Sequence, residues 1–335
     1  MAQDLREQAC WITLVFESGL STRTVNDILV AWCYQRKQSL QAFFAADAHV
    51  WAEVCNLNME ALQKLEHARE KLAAQAFLVE QLHHASISLL TIFEKEYPRC
   101  LKTALKRNQT PPVLFYMGDL GILQRQTIAI IGSRNASEKS LIFTREAAGY
   151  LAEQGANVIS GNARGVDQAA YDGAINGDGY TTVILPHGIR KLSGVKMRGL
   201  LPKIEAGKVL VVSQFHPDAP WMVSRAMERN KVVTGLAQTV IVAESDTRGG
   251  TWDGANGALS QKRPLYVCRI DEPVLPGNEA LLKLGARPLR WPSTNLVATF
   301  APVLQASHEI RETQERISTP PPSQLSLLAL SNLYQ

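Results

Sequence analysis

Several chemistries are excluded by what the chain does not contain. Its 335 residues hold five cysteines, Cys10, Cys33, Cys55, Cys100 and Cys268. They are scattered, odd in number and never spaced as C-x-x-C or as a Cys/His ligand set. That pattern argues against a disulfide framework and structural zinc, and it fits a reducing cytosol. No uninterrupted apolar run approaches the ~20 residues that a bilayer requires. The first residues carry Asp4, Arg6 and Glu7 where an export signal would be basic and then apolar. Membrane insertion and export are not expected. The spacing G-x-x-x-x-G-K-[ST] is absent and no strand-like run leads into G-x-G-x-x-G, so ATP hydrolysis and ordinary dinucleotide binding lack their apparatus. There is no H-E-x-x-H, and His83 and His84, adjacent on a helix, would point to different faces. No metal site, cofactor or catalytic residue is expected.

What the chain does contain is an ordinary globular composition, 46% hydrophobic and 20% charged, at a length that suggests about two domains. Its formal net charge of +4 and pI near 8.8 are compatible with a polyanionic partner without requiring one.

The most informative stretch runs from Thr127 to Asp167. The apolar run Thr127-Ile128-Ala129-Ile130-Ile131 breaks at Gly132-Ser133-Arg134, and Val158-Ile159-Ser160 breaks at Gly161-Asn162-Ala163-Arg164-Gly165-Val166-Asp167. Runs without polar alternation, separated by a helical segment from Ser140 to Gln154, predict parallel strands of a βαβ unit. The turns would lie at the strands' carboxyl ends, where open α/β sheets bind ligands. Glycine admits an anion close to the backbone, the following helix start offers free N–H groups, and Arg134 and Arg164 add planar donor forks. Asp167 reads as an N-cap or turn carboxylate.

Further strands are expected at Thr181–Leu185, Val209–Ser213, Thr239–Ala243 and Pro264–Val267, which completes a doubly wound, mostly parallel α/β sheet. Two more basic elements border it. A helix over Arg225-Ala226-Met227-Glu228-Arg229-Asn230-Lys231 would put Arg225 and Arg229 on one face. Thr247-Arg248-Gly249-Gly250-Thr251 precedes a helix beginning near Trp252. Trp221 and Trp252 are the aromatic residues nearest these loops; core packing is expected of both, with stacking on bases as the alternative. Before about Leu123, Trp11–Val15, Val25–Leu29 and Ala61–Leu82 look like helices of a small all-α unit, with Ser21 or Thr22 as an N-cap. After about Pro302, a short helix over Ser307–Arg316, a stiff linker Thr319–Ser323 and an apolar tail Leu325–Tyr334 are expected.

With Tyr97-Pro98, Pro111–Phe115, Ile130–Arg134, Ser160–Asp167, Arg229-Asn230-Lys231, Gly235-Leu236, Gly249-Gly250-Thr251 and Pro276-Gly277-Asn278 in this order, the chain resembles the DprA/Smf (DNA-processing protein A) family. The resemblance implies an extended Rossmann domain over residues 91–300, an all-α domain over 1–90 and a tail over 301–335 too short for the winged helix of many members. It also implies binding of single-stranded DNA, a homodimer, transfer of the strand to a RecA-type recombinase as in natural transformation, and no catalytic step. The chain departs from the family at Asn162, at Gln168–Tyr171, at Lys231 and over Ile189–Leu192.

Two other functions share such a fold. A LOG-type phosphoribohydrolase needs a carboxylate three residues after the Gly-Thr pair; here Gly254 stands there. A nucleotide-sensing module of a bacterial stress or phage-defence system, acting on a defence effector, would use the same pocket for a small nucleotide. The expected phosphate contacts are Gly132, Ser133 and Arg134; Ser160, Gly161, Arg164, Gly165 and Asp167; Arg225, Arg229, Asn230 and Lys231; and Gly249, Gly250 and Thr251. They would capture the backbone without reading sequence.

Overall fold

Apolar residues at helical spacing in the first third of the chain give six helices: Leu5–Ile12, Thr22–Ile28, Leu40–Ala45, Ala48–Cys55, Met59–Arg69 and Leu72–His84. The first two widen into π-helical turns at Thr13–Glu17 and Leu29–Gln35. Ser21 caps the second, its hydroxyl accepting from the Thr24 N–H at 3.1 Å, the role read for it from sequence. The core of the bundle is aromatic. Trp51 stacks on Phe43 with centroids 5.1 Å apart, and Trp32 meets Phe43 edge-on at 5.2 Å. The single helix expected over Ala61–Leu82 is two helices broken at Glu70-Lys71, although no glycine or proline marks the break.

The computed structural model describes residues 4–106, 108–161, 163–192, 194–270 and 275–317. Thr319–Ser323 and Leu325–Tyr334, read above as linker and tail, lie outside the described residues, as does Asn162. The chain divides into two units. One comprises residues up to Tyr97 with Lys106–Tyr116; the other comprises Pro98–Leu105 and the chain from Met117 on. The helical unit thus also carries an antiparallel strand pair that sequence reading missed, β1 (Ser88–Thr91) with β2 (Val113–Met117).

In the second unit, β3 (Thr127–Ile131), β4 (Asn157–Ser160), β5 (Tyr180–Ile184), β6 (Val209–Ser213) and β7 (Thr239–Val242) are buried along nearly their whole length. Burial on both faces explains their unbroken Val/Ile/Thr composition. β8 (Leu265–Ile270) and β9 (Arg287–Trp291) complete a parallel set in the order β6-β5-β4-β3-β7-β8-β9. The chain winds outward from β3 through β4 to β6, then returns to lay β7 on the other side of β3. That reversal is a topological switch point, and it opens a crevice at the carboxyl ends of β3 and β7. Ile128, Ile130, Phe143, Leu151, Val158 and Ile241 belong to the core beneath it. The short helix expected over Ser307–Arg316 is the end of a 22-residue helix, Leu296–Ile317. Among the described residues, no helix is long and apolar enough to cross a membrane.

Candidate nucleic-acid interface

Three turns meet at the switch point, and backbone bonds stitch them together. The Ser133 N–H donates to the Glu244 carbonyl at 2.9 Å, and the Val166 N–H donates to the Ser133 carbonyl at 3.2 Å. Gly165 has φ +79°, and a Cβ there would stand 2.5 Å from the Ser133 carbonyl oxygen. A Cβ on Gly132 would stand 2.5 Å from a methyl of Val166. These glycines are therefore required by the packing of one turn on the other, where sequence reading assigned them to the approach of an anion.

Around the turns lies a cleft of about 340 Å³. Of the expected contacts it gathers Gly132, Ser133, Arg134, Gly161, Asp167, Arg229, Asn230, Gly250 and Thr251. Ser160, Arg164, Gly165, Arg225, Lys231 and Gly249 do not line it. Ser160 is buried, with its hydroxyl on the Asp167 carbonyl at 3.3 Å. Arg164 and Lys231 are exposed outside the lining. Gly249, at φ +91°, precedes the helix Gly250–Ser260 without any side-chain hydrogen bond, so no side chain claims the N–H groups of its first turn, of which Gly250 and Thr251 line the cleft.

The two arginines expected to share a phosphate-facing stripe have protein partners. Arg225 donates from Nη1 to the Pro220 carbonyl at 2.7 Å. Arg229 is 3% exposed and donates from Nη1 to the Ile184 carbonyl at 2.9 Å, while its Nε has no partner. Its guanidinium fills the space where a Gly161 side chain would be, so Gly161 too is fixed by internal packing. Burial lowers the Arg229 pKa, and the nearby Asp167 charge opposes that shift. Burial raises the Asp167 carboxyl, against the pull of Arg229 and of the Ala163 N–H that Oδ2 accepts at 3.1 Å. Asp167 is thus a turn carboxylate at the cleft floor.

The exposed cations are elsewhere. Arg134 and Arg248 both line the cleft and are exposed; Arg134 adds a second, weaker positive charge beside buried Asp167. Arg248 was read in the sequence as part of the basic loop before Trp252 but not counted among the phosphate contacts, which were assigned to the glycines beside it. Val223, Ala226, Met227, Val233 and Thr234 also line the cleft. They form one stripe of the helix Val223–Leu236, and their three- and four-residue spacing is a signal that could have revealed them. Trp221, expected in a core, is 49% exposed at the rim. Trp252 does not line the cleft.

Residues 88–299 match the model of the DNA recombination-mediator protein A family. The chain belongs to that family. Protein Smf of Escherichia coli is 28% identical over 229 residues, 68% of this chain and 60% of that protein. The DNA processing protein DprA of Bacillus subtilis is 24% identical over 255 residues, 72% of this chain and 84% of the relative. The chain therefore spans less than two thirds of the E. coli relative's length. Among solved structures, DNA processing protein A of Streptococcus pneumoniae superposes with a TM-score of 0.66 at 22% identity, covering 84% of this chain and 94% of that one. The Helicobacter pylori protein, solved for its single-stranded DNA binding mode, gives 0.55 at 26% identity over 65% of this chain and 96% of its own. In this member of the DNA recombination-mediator protein A family, the segment after Gly188 is tied back to the chain before the helix Val223–Leu236. It forms a tight turn, Ile189–Lys191, whose Arg190 N–H holds the Pro217 carbonyl at 3.1 Å.

Proposed function

We propose that the protein is a single-stranded DNA-binding recombination mediator that captures the sugar-phosphate backbone at the switch-point cleft and carries out no catalytic step. The observation that carries this reading is the pairing of exposed Arg134 and Arg248 with a helix start at Gly250 that no side chain caps, all on one cleft. The single-stranded DNA binding of the H. pylori relative supports it. Arg164 and Lys231, exposed outside the cleft, extend the proposed basic track; Arg229 holds the floor. Gly254 lines the cleft at the position of the hydrolase carboxylate, which favours binding over hydrolysis. The homodimer, the RecA-type recombinase and the cytoplasmic setting belong to the same proposal.

The test is equilibrium binding of fluorescent oligothymidylate and of a panel of mononucleotides at two salt concentrations. Tight binding of the strand and weak binding of mononucleotides are expected, with log affinity falling against log salt at about −0.7 per phosphate contacted. Mononucleotides binding as tightly as the strand would replace this reading with a nucleotide sensor.

A further inference from the structure

Trp221, Met222 and Val223 stand in a row with 49%, 48% and 66% of their surface exposed. No other run of three large apolar side chains is exposed among the described residues. The shelf is held in place from behind. The Gly188 N–H donates to the Ala219 carbonyl at 2.9 Å, the Ala219 N–H to the His216 carbonyl at 2.8 Å, and Arg225 to the Pro220 carbonyl at 2.7 Å. A built, outward-facing apolar surface of this kind marks a contact site.

Its neighbours define what it contacts. Trp221 and Val223 line the same cleft as Arg134 and Arg248, and the Arg134 guanidinium carbon lies 6.0 Å from the Trp221 ring centroid. A flat apolar surface beside exposed cations fits a group that is flat, apolar and tethered to an anion. We infer that Trp221 is a base-stacking subsite, on which an unpaired base lies while the adjoining phosphate is taken by Arg134. This rests on the reading of the cleft as a strand-binding surface and adds a discriminator to it. In a duplex both faces of each interior base are already stacked, so away from the ends only an unpaired strand can offer a base to the indole. The arginines recognise phosphate in either form, whereas Trp221 selects the single strand.

The experiment compares three ligands of equal length: oligothymidylate, an abasic deoxyribose-phosphate strand and a blunt duplex, each against the whole chain and its Trp221→Ala and Trp221→Phe variants, with melting temperatures alongside. Wild type should prefer oligothymidylate to the abasic strand and the duplex. Trp221→Ala should lose about 5- to 150-fold for oligothymidylate and change little for the other two, and Trp221→Phe should restore most of the loss. Tryptophan fluorescence should be quenched by oligothymidylate and not by the abasic strand. An unchanged oligothymidylate-to-abasic ratio in Trp221→Ala would overturn the subsite, leaving the shelf to a protein partner and the strand-binding reading intact. Failure of wild type to bind either strand more tightly than a mononucleotide would overturn both.

Discussion

Arg134 and Arg229 line one cleft and face opposite physical problems. Arg134 is exposed, and its removal leaves no buried group unpaired. Arg229 is 3% exposed, holds the Ile184 carbonyl and is the stronger of two positive charges, with Arg134, acting on buried Asp167. Sequence alone assigned both to phosphate; burial gives Arg229 protein partners as well. Arg134→Ala should shift unfolding free energy by no more than about 0.5 kcal/mol and flatten the salt dependence of strand binding by about 0.7. Arg229→Ala should lose about 3–5 kcal/mol of stability, because a buried carbonyl and a buried carboxylate both lose their partner. Urea denaturation beside binding isotherms decides the matter. Equal stability of the two variants would remove Arg229 from the scaffold and return it to the surface track.

At the scale of elements, the loop that presents Arg134 is clamped at both ends by one residue of the next strand connection. Glu244 accepts the Ser133 N–H on its carbonyl at 2.9 Å, and its Oε2 accepts both the N–H and the hydroxyl of Ser137 at 2.8 Å. Ser137 in turn caps the helix Glu138–Glu153. Glu244→Ala should therefore cost about 1 kcal/mol of stability and weaken strand binding by loosening a loop it does not share with the ligand. In a double-mutant cycle, Glu244→Ala combined with Arg134→Ala should bind no more weakly than Arg134→Ala alone; additive losses would show that Glu244 acts by some other route. This clamp was not legible in the sequence, because Glu244 lies more than a hundred residues from Ser137 and local pattern carries no such pairing. The strands β3 to β7 were legible, since burial on both faces writes itself as unbroken Val, Ile and Thr. β9 was not: Arg287, Pro288 and Arg290 are exposed on an outer strand, which erases the apolar run. The anion turns were found for their glycines; Gly132, Gly161 and Gly165 also answer to internal packing that sequence does not display, and Arg248, read as part of a basic loop, was not counted among the contacts.

Across the whole molecule, the five cysteines are all free thiols, and burial governs their chemistry. Burial, aided by Glu7, pushes the Cys10 and Cys33 thiols up to about 12; burial opposed by Arg36 takes Cys55 to about 11. Burial also raises Cys100 and Cys268. Since the thiolate is the reactive form, Cys10 and Cys33 at pH 8 should alkylate about a thousandfold more slowly than an unperturbed thiol, and Cys55 about a hundredfold more slowly. The sign for stability follows from the same shifts. A thiol whose folded pKa exceeds its unfolded value of 9.0 favours the fold fully below pH 9, and that contribution is lost as pH rises through about 11 to 12. The protein should accordingly tolerate oxidants near neutrality and soften in alkali. Mapping of iodoacetamide adducts by mass spectrometry at pH 8 should show Cys55 leading Cys10 and Cys33 in the folded protein and all five modified together in urea. Rapid native modification at Cys10 or Cys33 would mean that the helical bundle around Trp51 opens far more often than its packing allows.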